Sequence, residues 1–176
     1  MSVVGKTLPP IGYVQFCQSN PSECRYGRTR AVRVKLTDAR WNELLRVNDF
    51  VNGRIAPITD QDLYNTPELW TYPKDEGDCE DYVLLKRRHL IDLGWPAQTL
   101  LITVVRDVDN GGHAVLTVVT DRGDLVLDNQ NPDILPWTST RYTYYKRQSQ
   151  HAPNLWVSLR DDASRTSKFV TGDLER

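Results

Sequence analysis

Apolar and polar positions alternate with different periods along the chain, and the changes of period divide it. Behind Thr37, a capping residue, Trp41, Leu44, Leu45 and Asn48 recur at helical spacing until Asn52-Gly53 closes the run. A second helical run covers 79–93. Asp78 takes its N-cap position, Glu80 and Asp81 fall in the first turn, where the macrodipole favours negative charge, and Gly94 followed by Trp95-Pro96 is the stop signal. At about 100° per residue, Tyr82, Val83, Lys86, Leu90 and Leu93 share the side of Cys79, the face that packs inward. Lys86 on that face reads as a snorkelling stem whose ammonium reaches solvent or a carboxylate, in preference to a catalytic group.

Beyond residue 98 the period shortens. Segments 99–106 and 113–120 are rich in β-branched residues and flank Asp-Val-Asp-Asn-Gly-Gly, which predicts an antiparallel pair. A third strand is expected at 124–128, a fourth at 142–147 and a fifth at 155–159. Helices first and antiparallel strands afterwards argue for an α+β fold, with the 79–93 helix packed on one face of the sheet in a domain spanning 37–160. Residues 1–36 read as an irregular arm with short strands at 11–16 and 31–36, and 161–176 as a polar tail. Between the helices, 54–76 loses periodicity and carries Pro57, Pro67, Pro73, Tyr64, Trp70 and Tyr72. That composition suits a groove wall or a packed connecting loop equally.

Charge and composition narrow the function by exclusion. A net charge of -1 without a basic stripe gives no reason to expect nucleic acid, and no apolar run approaches the roughly 18 residues of a membrane span. The three cysteines are more informative. Cys17 and Cys24 enclose six residues including Asn20-Pro21, a turn that closes a small disulfide loop; two reduced surface thiols are the alternative, and a zinc site would want more Cys or His than the chain holds. A disulfide implies an oxidising compartment. Residues 1–10 lack the apolar core of a secretory signal, so the expected form is mature, its leader absent.

Cys79 stands alone at a helix N-terminus, where unpaired N–H groups and the helix dipole favour the thiolate. The neighbouring carboxylates Asp75, Asp78, Glu80 and Asp81 oppose it, so the site calls for an imidazolium beside the sulfur or a bound metal ion. Of the three histidines, His89 falls roughly 280° around the helix from the sulfur and His151 lies near the end. His113 follows Gly111-Gly112 at the start of a strand and is the candidate general base, with Asp128 at the end of the next strand as its orienter. A two-residue turn at Arg122-Gly123 would set Asp128 opposite Thr117, roughly 13 Å along the strand from His113. The expected register instead centres the turn between Thr120 and Asp121, or includes a bulge with the same effect, which pairs His113 directly with Asp128.

The order Cys, His, Asp, with the cysteine opening a helix and the other two on neighbouring strands, resembles papain-like and transglutaminase-like enzymes. Gly77-Asp78-Cys79-Glu80-Asp81-Tyr82, Gly112-His113-Ala114-Val115-Leu116 and Val126-Leu127-Asp128-Asn129-Gln130, with Asn65-Thr66-Pro67-Glu68 upstream, resemble the bacterial transglutaminase-like cysteine proteinases, which include LapG-type periplasmic proteases that release surface adhesins. The likeness covers about residues 37–130. It implies a papain/transglutaminase-like fold, a Cys79, His113, Asp128 triad, peptide cleavage through a thioester, and a periplasmic enzyme acting on a protein, with a surface adhesin as the model substrate. It also implies calcium close to the cysteine, with Asp78, Glu80 and Asp81 as the matching carboxylates. Helix capping accounts for part of their presence, and three consecutive side chains converge on one ion only with help from backbone carbonyls or water. The Cys17 and Cys24 pair is not carried over by this resemblance.

The same three residues would serve a transglutaminase, which differs in letting an amine rather than water resolve the acyl-enzyme. A non-catalytic module holding a peptide near Trp70 is the reading from another class; a retired site has no need of all three residue types. For the oxyanion, the backbone N–H of Cys79 is the natural first donor, with the second expected from the aromatic loop around Trp70 or Tyr72.

Overall fold

The computed structural model describes residues 1–24, 27 and 29–160. In chain order the elements are β1 (Ser2–Thr7), α1 (Ile11–Ser19), α2 (Pro21–Cys24), α3 (Asp38–Arg54), β2 (Ala56–Pro57), α4 (Asp60–Tyr64), β3 (Glu76–Gly77) and α5 (Cys79–Asp92). There follow β4 (Leu100–Arg106), β5 (Gly112–Thr120), β6 (Gly123–Leu127), β7 (Leu135–Pro136), β8 (Thr143–Ser149) and β9 (Ala152–Arg160). The long strands form an antiparallel sheet in the order β1-β9-β8-β4-β5-β6-β7, and β2 pairs with β3 in a short parallel ladder. The polar tail expected at 161–176 lies outside the described residues.

Central position explains the composition of β5, which is buried at every residue after Gly112 because both of its faces are covered. Ala114, Leu116 and Val118 join Leu100, Ile102, Leu125 and Leu127 in a core shared with Leu44, Val47 and Val51 of α3 and Tyr82, Val83, Leu84 and Leu90 of α5. Val115 points to the other face, into a smaller cluster with Val105, Val126, Tyr144 and Leu159.

The two long helices follow their sequence signals. Thr37 caps α3 by accepting from the Arg40 N–H at 3.3 Å. At the far end of α5, Gly94 adopts φ +84°; its N–H reaches Ile91 O at 2.9 Å and the Trp95 N–H reaches Leu90 O at 3.0 Å, the paired bonds of a Schellman motif. Trp95 is thereby turned into the core. At the near end, Asp78 occupies the N-cap position with extended backbone angles but makes no side-chain capping bond.

The first 36 residues differ from the expected irregular arm. Ser2–Thr7 is the edge strand of the main sheet, paired with β9. Residues 11–16, expected as a strand, belong to helix α1, because Tyr13, Phe16 and Cys17 fall at helical spacing and pack into the core, and that signal outweighs the local apolar alternation. Gly12 makes this seat possible, since a Cβ there would stand 2.3 Å from Trp70. Cys17 and Cys24 are joined by a disulfide, with Cα atoms 5.6 Å apart, that links α1 to α2. Of the strand expected at 31–36 only a single bridge, Val34 to Thr120, is present.

Candidate active site

Helix α5 carries Cys79 at its first position, partly exposed. The thiol donates to Glu80 Oε2 at 3.2 Å. Burial, then the charge of Glu80 and this hydrogen bond, push the thiol well above its usual range, while the backbone N–H of Ala114 pulls the other way. That N–H belongs to the residue directly after His113, so the sulfur sits at the strand end that presents the imidazole.

His113 and Asp128 form a buried pair, with Nε2 and Oδ1 2.8 Å apart. Burial alone would raise the Asp128 carboxyl, but the bond and charge of His113, the Tyr142 hydroxyl and the Gln130 N–H together hold it below its ordinary value. The Gln130 N–H reaches Oδ1 at 3.0 Å, and the Tyr142 hydroxyl donates to Oδ2. Burial, followed by its bond to Asp128, pushes the Tyr142 phenol up, so it stays protonated and remains a donor. At the other ring nitrogen, the Gln130 amide donates to His113 Nδ1 at 3.4 Å.

The register that produces this pair is neither of the two weighed from sequence. Thr120 pairs with Gly123 and Leu116 with Leu127, so the turn consists of Asp121 and Arg122, and Gly123 takes φ +113°. Asp128, one residue past the end of β6, therefore extends the ladder to a place across from Val115, on the same face as His113 and diagonal to it. A carboxylate spans that diagonal, which a smaller side chain would not.

The acidic residues separate into distinct roles. Ligand oxygens of Asp60, Asp78 and Glu80 lie within 4.8 Å of one another. Asp81 is outside this group and binds the Thr71 N–H through Oδ1 at 2.9 Å. Asp75 pairs with Arg54 at the surface. Burial and neighbouring charge push Glu80 up to about 9 and Asp81 to about 8, and burial raises Asp60 and Asp78. Asp60 Oδ1, Asp78 Oδ1 and Asp81 Oδ2 are buried without a hydrogen-bond partner. Asp60 Oδ2 accepts from the Leu69 N–H, which ties the segment around Trp70 to α4, and Asp81 ties the same segment to the start of α5. Trp70 is buried against Tyr13 and donates from Nε1 to Glu68 at 2.7 Å.

Three side chains at this site were not singled out from sequence: Asp60, Gln130 and Tyr142. Asp60 lies far upstream and Tyr142 beyond the last motif, and only the folded chain brings them in. Lys86 does not snorkel; it is 1 % exposed and donates to the backbone carbonyl of Asp128 at 2.8 Å. A cavity of about 380 Å³ opens beside the pair, lined by Asp107, Asp109, Asp128, Gln130, Arg141 and Tyr142 among others.

A cysteine opening a helix, its sulfur at the Ala114 N–H next in sequence to a His113 that pairs with Asp128 across two inner strands of an antiparallel sheet, is the arrangement of a transglutaminase-like cysteine hydrolase. Residues 3–164 match the family described as bacterial transglutaminase-like cysteine proteinase BTLCP, so the chain belongs to that family and is a cysteine protease. Three solved structures of LapG from Legionella pneumophila share the fold. The calcium-bound form is 22% identical with TM-score 0.59, covering 76% of this chain and 82% of that one. The EGTA-treated form is 24% identical with TM-score 0.58, covering 72% and 70%, and a third is 26% identical with TM-score 0.55, covering 73% and 74%. Among curated proteins, none matches the chain. Among the described residues, no helix is long and apolar enough to cross a membrane.

Proposed function

We propose that the chain is a cysteine endopeptidase in which Cys79 is the nucleophile, His113 the general base and Asp128 its orienter. The observation that carries this reading is the buried 2.8 Å bond between His113 Nε2 and Asp128, beside a strand residue whose N–H faces the sulfur. With Nε2–H donated to Asp128, Nδ1 is the basic nitrogen, and it takes the thiol proton by giving up its 3.4 Å contact with the Gln130 amide. Sulfur then attacks the peptide carbonyl, and the orphan N–H of Cys79 at the helix terminus offers one donor to the oxyanion. Collapse breaks the C–N bond, and the amine leaves with the proton from His113. Water attacks the thioester, gives its proton to His113, and the carboxylate leaves as the thiol re-forms.

Asp60, Asp78 and Glu80 suit a hard cation, since their donors are all oxygens and two of those are buried and unpartnered. Calcium held there would supply positive charge beside the sulfur, offsetting the carboxylates. Asp60 takes the place of Asp81 in this ligand set because its oxygen lies within 4.8 Å of those of Asp78 and Glu80, while Asp81 holds the Thr71 N–H through Oδ1. The disulfide favours an oxidising compartment, the periplasm or outside the cell, and the substrate class is a protein, with surface adhesins the first to examine.

Digestion of a peptide library with calcium in oxygen-18 water, read by mass spectrometry, tests the reaction. Cleaved products with labelled carboxyl ends, absent with Cys79→Ala, are expected. Amine-tagged uncleaved products on adding a primary amine would assign acyl transfer instead.

A further inference from the structure

Asp128 stands just beyond the last paired residue of β6, so the ladder no longer holds it, yet its carboxylate must span a diagonal to reach His113. Two side chains fix the chain at this point. The Asp128 carbonyl accepts from Lys86 Nζ at 2.8 Å and from Asn52 Nδ2 at 2.9 Å. Lys86 belongs to α5, the helix that begins with Cys79, and Asn52 to α3. Lys86 lies seven residues after Cys79, two turns along the same face, so one rigid rod presents the sulfur at its tip and grips the Asp128 segment about 10 Å behind it.

Burying an ammonium is costly, and a neutral donor would satisfy a carbonyl at lower cost. The Lys86 stem runs against Tyr82, whose ring centroid is 5.9 Å from Nζ, and the group facing it from across the core is Asp128. Burial pulls its ammonium down to about 7, and the Asp128 charge opposes that fall. What a lysine supplies and a neutral donor does not is positive charge behind the carboxylate.

We propose that Lys86 and Asn52 are positioning residues that clamp the Asp128 carbonyl, aim its carboxylate at His113, and couple that aim to the helix carrying the nucleophile. This inference rests on the triad reading above. Neither residue touches the reacting atoms; both act through Asp128.

The test uses the intact protein with calcium and compares wild type with Lys86→Met, Asn52→Ser, Lys86→Gln and Asp128→Asn. Methionine fills the same volume without charge and suits a buried site. Three quantities are read: melting temperature, the rate of iodoacetamide labelling at Cys79, and the downfield proton resonance of the His113 to Asp128 bond. For folded Lys86→Met, labelling should slow on the order of tenfold to a hundredfold, the loss expected from a displacement of about 1 Å, with the resonance broadened or shifted. Lys86→Gln, which keeps a donor, should recover part of that loss, and Asn52→Ser should slow labelling independently if Lys86→Met fails to fold. If Asp128→Asn slows labelling while folded Lys86→Met and Asn52→Ser keep the wild-type rate and resonance, the clamp is refuted and the triad stands. If Asp128→Asn itself labels at the wild-type rate, both fall.

Discussion

Replacing Asp60 with asparagine removes one charge from three carboxylates while keeping an acceptor for the Leu69 N–H. Two full charges 4.8 Å apart repel by about 3.5 kcal/mol at an effective dielectric of about 20. Burial first, and the charge of Asp78 after it, raise Glu80 from 4.5 to about 9, so without a cation the cluster keeps protons. Because that folded value lies above the unfolded one, the native state binds the extra proton, and the stability it gives is complete below about 4.5 and lost as pH climbs toward about 9. Each such group contributes a slope of up to about 1.4 kcal/mol per pH unit in that window. Calcium at a hundred times its dissociation constant restores about 2.7 kcal/mol, which for a chain of this size raises Tm by about 5–10 °C. The assay is thermal unfolding at pH 6, 7, 8 and 9, with calcium or EGTA. Wild type should lose Tm with pH in EGTA and regain it with calcium, whereas Asp60→Asn should be less pH-sensitive in EGTA and lose at least half of the calcium response. Identical wild-type melting in calcium and EGTA at every pH would refute the cation site, and a full response in Asp60→Asn would remove Asp60 from it.

Tyr142→Phe removes a charge-assisted donor to Asp128 but not its aromatic packing, so kcat/KM should fall by about tenfold, the equivalent of roughly 1.5 kcal/mol, with Tm little changed. Steady-state kinetics on any cleaved peptide, alongside a melt, checks this. Cleaving the Cys17–Cys24 bridge by the double serine variant should cost about 2.5 kcal/mol from the eight-residue loop it closes and lower Tm by about 5–10 °C, measured by calorimetry.

Legibility from sequence followed the range of the interactions involved. Both long helices and the β4 to β6 meander announce themselves through signals carried within a few residues: Thr37, the Gly94-Trp95-Pro96 stop, and runs of β-branched residues. The candidates Cys79, His113 and Asp128 come from the same kind of signal, since each sits in a short motif at the end of such an element. The turn between β5 and β6 was not, since Thr120-Asp121-Arg122-Gly123-Asp124 offers more than one two-residue turn and only the folded sheet selects Asp121-Arg122. Tertiary contacts likewise override the local pattern at α1, where Tyr13 and Phe16 find Trp70, Trp156 and Tyr72, and at β1, whose exposed residues gain their place from β9 at the far end of the chain. Asp60 and Lys86 belong to the same case. Nothing next to Asp60 marks it as a neighbour of Glu80, and a lysine on an apolar face normally reaches water, whereas this one ends at the Asp128 carbonyl.

The most direct measurement is the pH dependence of iodoacetamide labelling at Cys79 in calcium, for wild type and His113→Ala. Wild type should label selectively and fast near neutral pH, with His113→Ala slower by at least tenfold and rising only as the bare thiol ionises. Equal rates in the two proteins across the range would contradict the pairing of Cys79 with His113, and with it the account of the site.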